Sequence, residues 1–158
     1  MAMTHEPLET AEGSDFPFVR QISVFLENRL GQLLRMTRLF EKSEVHILAV
    51  SVEGSVDCAI VRVLVDDPDS ALDMLRDAGF AVSITELLVV ELPPGKRGMM
   101  TVCAALISGE ININYTYALL PGANRGACIA IQVDNPGQAA NVLSAKKFRV
   151  LDQSELSG

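Results

Sequence analysis

A chain of 158 residues, 49% of them apolar, can bury the core of one ordinary domain or of two small ones. Its formal charge of −7, with 13 scattered Lys and Arg, argues against nucleic acid, a partner that asks for a basic patch. No apolar run reaches the roughly 18 residues of a membrane span, and the N-terminus lacks the basic and apolar stretches of a secretory signal.

The first residues, 1–16, are acidic and read as a mobile tail. "FVRQISVFLE" (18–27) then alternates as a strand does. "GQLLRMTRLFEKSE" (31–44) sets Leu33, Met36, Leu39 and Phe40 on one helical stripe. Two strands follow, 45–54 and 58–67. The next helix, 67–79, has Asp67 as its N-cap, Pro68 at its first position and Gly79 as its stop. Residues 81–86 form a strand.

The order then restarts. "LLVVEL" (87–92) is a strand, 99–110 a helix, and 111–120 and 127–135 two strands around "PGANRG". A helix over 135–147 and a strand over 148–156 complete the chain. Shifting residues 65–82 by 68 positions aligns Val65, Asp66, Pro68, Ala71, Leu75, Phe80 and Val82 with identical residues. Unrelated sequence would give roughly one such match, so the chain is a duplication. Each copy runs βαββαβ, the ferredoxin-like α+β unit with an antiparallel sheet and both helices on one face. The units are expected at 17–86 and 87–158, joined side by side into an eight-stranded sheet.

In each unit the first strand enters the first helix through a Gly-containing loop, "ENRLG" (27–31) and "PPGKRG" (93–98). Amides at such a helix start lack internal partners and suit a carboxylate. The second strand of each unit is a sheet edge, and pairing of the two edges would bring loops and strand starts together at a seam. His46 follows Gly31 by 15 residues and Asn112 follows Gly98 by 14.

"NRLGQLLRMTRLFEKSEVHILAVSV" and "GMMTVCAALISGEININYTYALL" resemble the opening of an ACT domain, the small regulatory module that binds amino acids. The resemblance spans about 18–156 and implies a tandem ACT protein with a free amino acid held where its units meet. The positions it implies are Asn28, Arg29, Leu30, Gly31 and Gln32 with His46 and Ile47 in the first unit. In the second they are Gly95, Lys96, Arg97, Gly98 and Met99 with Asn112, Ile113 and Asn114. Leu30 stands where the family usually has Pro, Arg97 where it has Gly, and His46 where it has Asn. The first repeat also resembles the ACT part of acetolactate synthase small subunits, through Gly31, Arg35, Leu39 and Phe40. That resemblance implies an alternative, an interaction subunit of a separate biosynthetic enzyme.

No nucleophile elbow, P-loop or metal-ligand cluster stands out, so an enzyme is not expected, nor any cofactor. Cys58, Cys103 and Cys128 lack CxxC spacing and read as buried reduced thiols of a cytoplasmic protein. Tyr115 and Tyr117 read as core. One sheet face is left without helices, and a homodimer packing sheet on sheet is expected to cover it.

Overall fold

The computed structural model describes residues 18–27, 29–123 and 125–157, with only the backbone of Arg29, so the expected acidic tail lies outside the described residues. The elements are β1 (Val19–Leu26), α1 (Arg29–Lys42), β2 (Ile47–Gly54), β3 (Ala59–Val65), α2 (Pro68–Asp77) and β4 (Ala81–Glu91). Then come α3 (Gly98–Ser108), β5 (Ile113–Ala118), β6 (Cys128–Val133), α4 (Pro136–Ala145), β7 (Val150–Leu151) and α5 (Gln153–Ser157).

The duplication is legible down to single hydrogen bonds. Asp67 caps α2 by accepting from the Ser70 amide, and Asn135 caps α4 by accepting from the Gln138 amide; Pro follows each cap. Both helices end alike, with Phe80 N donating to Leu75 O and Phe148 N to Leu143 O. Before each Phe the chain turns through positive φ, +91° at Gly79 and +70° at Lys147. Glycine takes that conformation freely, whereas the lysine side chain makes it strained.

The strands form one curled antiparallel sheet in the order β2-β3-β1-β4-β6-β5, with β7 also on β4. This corrects the eight-stranded arrangement. The expected strands 81–86 and 87–92 are a single strand, β4, which pairs with β1 through Leu87 and with β6 from Leu88 onward. One strand thus closes the first unit and opens the second. The last expected strand, 148–156, shrinks to two residues, because Asp152 accepts from the Glu155 amide and turns the chain into α5.

Three apolar clusters fill the molecule. Ile22, Val24, Val61 and Val63 pack under α1 and α2 with Met36, Phe40 and Leu75. Leu88, Val90, Ile129 and Ile131 pack under α3 and α4 with Val102, Leu106 and Leu143. The third cluster, including Val19, Leu64, Leu87, Val89, Leu119, Ala130 and Leu151, lies between the two helix-free faces. The curl folds these faces against each other. Hence Leu87, Leu88, Val89 and Val90 are all fully buried, the odd positions toward the third cluster and the even ones toward the second. Much of the helix-free face is therefore covered within the chain, although Phe25 at its β1 end stays 45% exposed.

Candidate functional site

β1 and β4 are antiparallel, so the loops that leave them lie at opposite ends of the molecule rather than together. The strand starts divide the same way. Leu120 N donates to Leu48 O at 2.8 Å, and Tyr115 stacks under Arg62, the partner of Ser51. Read backward from Leu120, β5 therefore crosses the first unit toward the end where β1 finishes. Loop one and the start of β5 belong to that end; loop two and the start of β2 belong to the other.

Loop one is shorter than expected, since α1 already begins at Arg29, which makes Leu30, Gly31 and Gln32 helical. Asn28 lies outside the described residues, and Arg29 is described by its backbone alone. Leu30 is exposed and Gly31 faces open space. Gln32 helps line a cavity of about 140 Å³ with Phe25, Glu27, Arg35 and Phe80. Arg35 is the cation here, 4.5 Å over the Phe80 ring and bonded to Gln32 and to the Ala78 carbonyl. Sequence reasoning named it only as family spacing; its place a helical turn after Gly31 was the available signal.

Loop two is built more tightly. Gly95 turns at φ +97°, Lys96 and Arg97 are exposed, and Gly98 is buried at the start of α3. A Cβ on Gly98 would meet the Pro93 carbonyl oxygen at 2.4 Å, so only glycine fits. Unlike α2 and α4, α3 has no side-chain cap: Arg97 occupies the cap position and makes no such bond. The amides of Met99 and Met100 find no partner among the described residues.

The strand starts correspond by register. Ile47 pairs with Val65 and Ile113 with Val133, and each pairing is followed by a bulge, which aligns His46 with Asn112. His46 is committed locally: its amide and Nδ1 both reach Asp66, at 2.8 and 2.9 Å, while the ring stays 79% exposed. Asp66 also lines a cavity of about 680 Å³ with Glu44, Asp67, Ser70 and Ser157, an acidic surface unsuited to a carboxylate. In the second unit the repeat-equivalent aspartate, Asp134, is held instead by Asn114, the bulge residue, which also bonds Gln132. Ile47 and Ile113 pack against the helix-side cores. Asn112 is exposed, and its side chain makes no hydrogen bond among the described residues.

Tyr115 and Tyr117 are half-buried between the facing halves of the curled sheet, bonded through their hydroxyls to Gln21 of β1. Burial pushes the Tyr117 hydroxyl well above the usual phenol range, with Tyr115 adding to the rise and Arg62 opposing it. Among the described residues no group of three or more His, Cys, Asp or Glu is placed to hold a metal, and no helix is long and apolar enough to cross a membrane.

Two βαββαβ units sharing one strand, each with a bulge at the start of its second strand, define a paired-domain α+β fold. Residues 18–158 match the family described as the ACT domain pair, and the chain belongs to that family. It is similar to protein BT0572 from Bacteroides thetaiotaomicron, at 30% identity and a TM-score of 0.82 over 90% of this chain and 98% of that one. The ligand-free regulatory subunit of aspartate kinase from Thermus thermophilus matches with a TM-score of 0.57 over 84% and 92% of the two chains. At 14% identity that likeness speaks for fold alone. A search of curated proteins finds no match.

Proposed function

We propose that this protein is a regulatory amino-acid sensor without catalysis of its own, binding a free amino acid at the two ends of its seam. Membership of the ACT domain pair family supports the regulatory role. The observation that carries the ligand class is the start of α3, where the Met99 and Met100 amides stand uncapped behind a glycine that cannot carry a side chain. Such amides, at the positive end of a helix, favour a carboxylate. The uncommitted amide of Asn112 offers a donor and an acceptor at the other end. A relative in fold is described as the regulatory subunit of aspartate kinase, which supports a companion reading: ligand binding here adjusts contact with a separate enzyme of amino-acid synthesis.

The test is a thermal-shift screen of the purified chain against the twenty amino acids. Ligand at 100 times its dissociation constant stabilises a fold by about 2.7 kcal/mol, several degrees for a chain of this size. One or two hits are expected. Asn112→Ala, an exposed change that should cost under about 0.5 kcal/mol of stability, is expected to weaken one of two binding events. A flat screen would leave the enzyme-subunit reading, to be pursued by capture of the partner enzyme.

A further inference from the structure

Along β1 the helix-free face passes from sealed to open: Val19 and Gln21 are wholly buried, Ser23 is 7% exposed and Phe25 is 45% exposed. Gln21 is the most deeply buried polar side chain among the described residues, and both of its side-chain bonds go to the other unit. Its Nε2 donates to the Tyr115 hydroxyl at 2.8 Å, and its Oε1 accepts from the Tyr117 hydroxyl at 2.6 Å. Arg62 from β3 adds a second grip, its guanidinium 4.1 Å from the Tyr115 ring centroid and 2.8 Å from Glu53. The two tyrosine rings stack at an angle of 18°. Toward the β2 start the seam is closed by apolar packing and by the Leu120–Leu48 hydrogen bond. Toward the β5 start it is closed by this polar group.

The position along β5 matters. Tyr115 directly follows the bulge at Asn114, and Asn112 lies two residues further back. A buried amide tolerates separation from its partners poorly, because it would be left dry and unpaired. Rotation of β5 at its bulge must therefore either carry Gln21 along or break both of its bonds.

We propose that Gln21, Tyr115, Tyr117 and Arg62 form the joint that sets the angle between the two units and passes movement at the β5 start to the first unit. The transmission half rests on the amino-acid reading above; the joint itself does not.

The chain has two tyrosines and no tryptophan, so its tyrosine emission comes entirely from the joint. Acrylamide quenching of that emission is compared between the full wild-type chain and Gln21→Met, which keeps the length and loses both hydrogen bonds. We expect the quenching constant to rise about twofold, with faster amide exchange confined to β5 and the facing part of β2, and unchanged far-ultraviolet dichroism. Unchanged quenching and exchange would overturn the joint, leaving Gln21 as mere filling. Should Gln21→Met not fold, Tyr117→Phe leaves Tyr115 as the sole emitter. Its quenching must then rise, and a wild-type value would equally overturn the proposal. Where an amino acid binds the wild type by calorimetry, it must change the emission, and Gln21→Met must shift its affinity about fivefold or more. Binding with neither effect would refute transmission. Absence of any binding would count against the sensor reading alone, and the ligand-free quenching would still decide the joint.

Discussion

Tyr117 is held where burial opposes its ionisation, while its hydroxyl donates to a fully buried glutamine. A phenol whose folded value lies above its unfolded one binds its proton more tightly in the folded state. Its contribution is complete below the unfolded value of about 10 and is lost as the pH rises through and past it. The melting temperature of the wild type is therefore expected to fall more steeply above about pH 10 than that of Tyr117→Phe. Equal slopes would mean that Tyr117 ionises freely in the fold. Reading the two tyrosines as core overstates their burial, since both are half-buried. Their partner was not legible, because Gln21 lies 94 and 96 residues away and no local pattern encodes that pairing. The sequence also placed Asn112 and Asn114 on one strand face. The bulge between Ile113 and Tyr115 breaks the period of two, sends Asn114 to Asp134 and leaves Asn112 free. The same limit applies to His46, whose ring is spoken for by an aspartate at the end of β3.

Elements with strong local signals were read well, and α2 and α4 show why. A capping side chain, a proline at the first turn and an apolar stripe all act within a few residues, so sequence carries them directly. Asp67 is held below its ordinary value by the Ser70 hydroxyl and amide, so its cap is complete above the unfolded value near 4 and is lost as pH falls from there through the lower folded value. Asn135 makes the same cap without a titrating group. Acid should therefore loosen α2 before α4. Amide exchange on lowering the pH is expected to rise first over 68–77, and Asp67→Asn should remove that difference between the helices. Asn135→Ala should cost about 1 kcal/mol in chemical denaturation. The elements misread were those whose extent is set from outside. β4 is one strand because β1 and β6 take its two halves on opposite sides. β7 is two residues because α5 begins at Gln153.

At the scale of the molecule, the doubled βαββαβ order and its ACT character were legible, and the curl was not. Periodicity tells which residues leave water; it does not tell whether the surface that covers them belongs to the same chain or to another. Here the uncovered faces meet each other through Val19, Leu64, Leu87, Val89 and Leu119. Folding should thus need no second copy. The thermal midpoint is expected to be unchanged over a hundredfold dilution from about micromolar, where an obligate dimer would lose stability by mass action. Because the third cluster draws on both units, unfolding should also be a single transition, with calorimetric and van't Hoff enthalpies equal. Leu87→Ala, at the junction, should cost about 2–5 kcal/mol and shift that one transition without splitting it.

β4 has a consequence for how the chain finds its alignment. Slipping a strand by one residue normally turns apolar side chains outward, and that penalty pins the register. Leu87, Leu88, Val89 and Val90 face apolar surroundings on both sides, so a slip there would exchange one greasy side chain for another at little cost. The alignment is set instead from the flanks of that run, by Val82 on the first core at one side and by Glu91 at the other. Glu91 accepts from the Gly126 amide at 2.7 Å and lies 3.5 Å from Arg149, contacts that a one-residue slip would replace with a leucine or a valine. A carboxylate at the rim thereby helps to index two interiors at once.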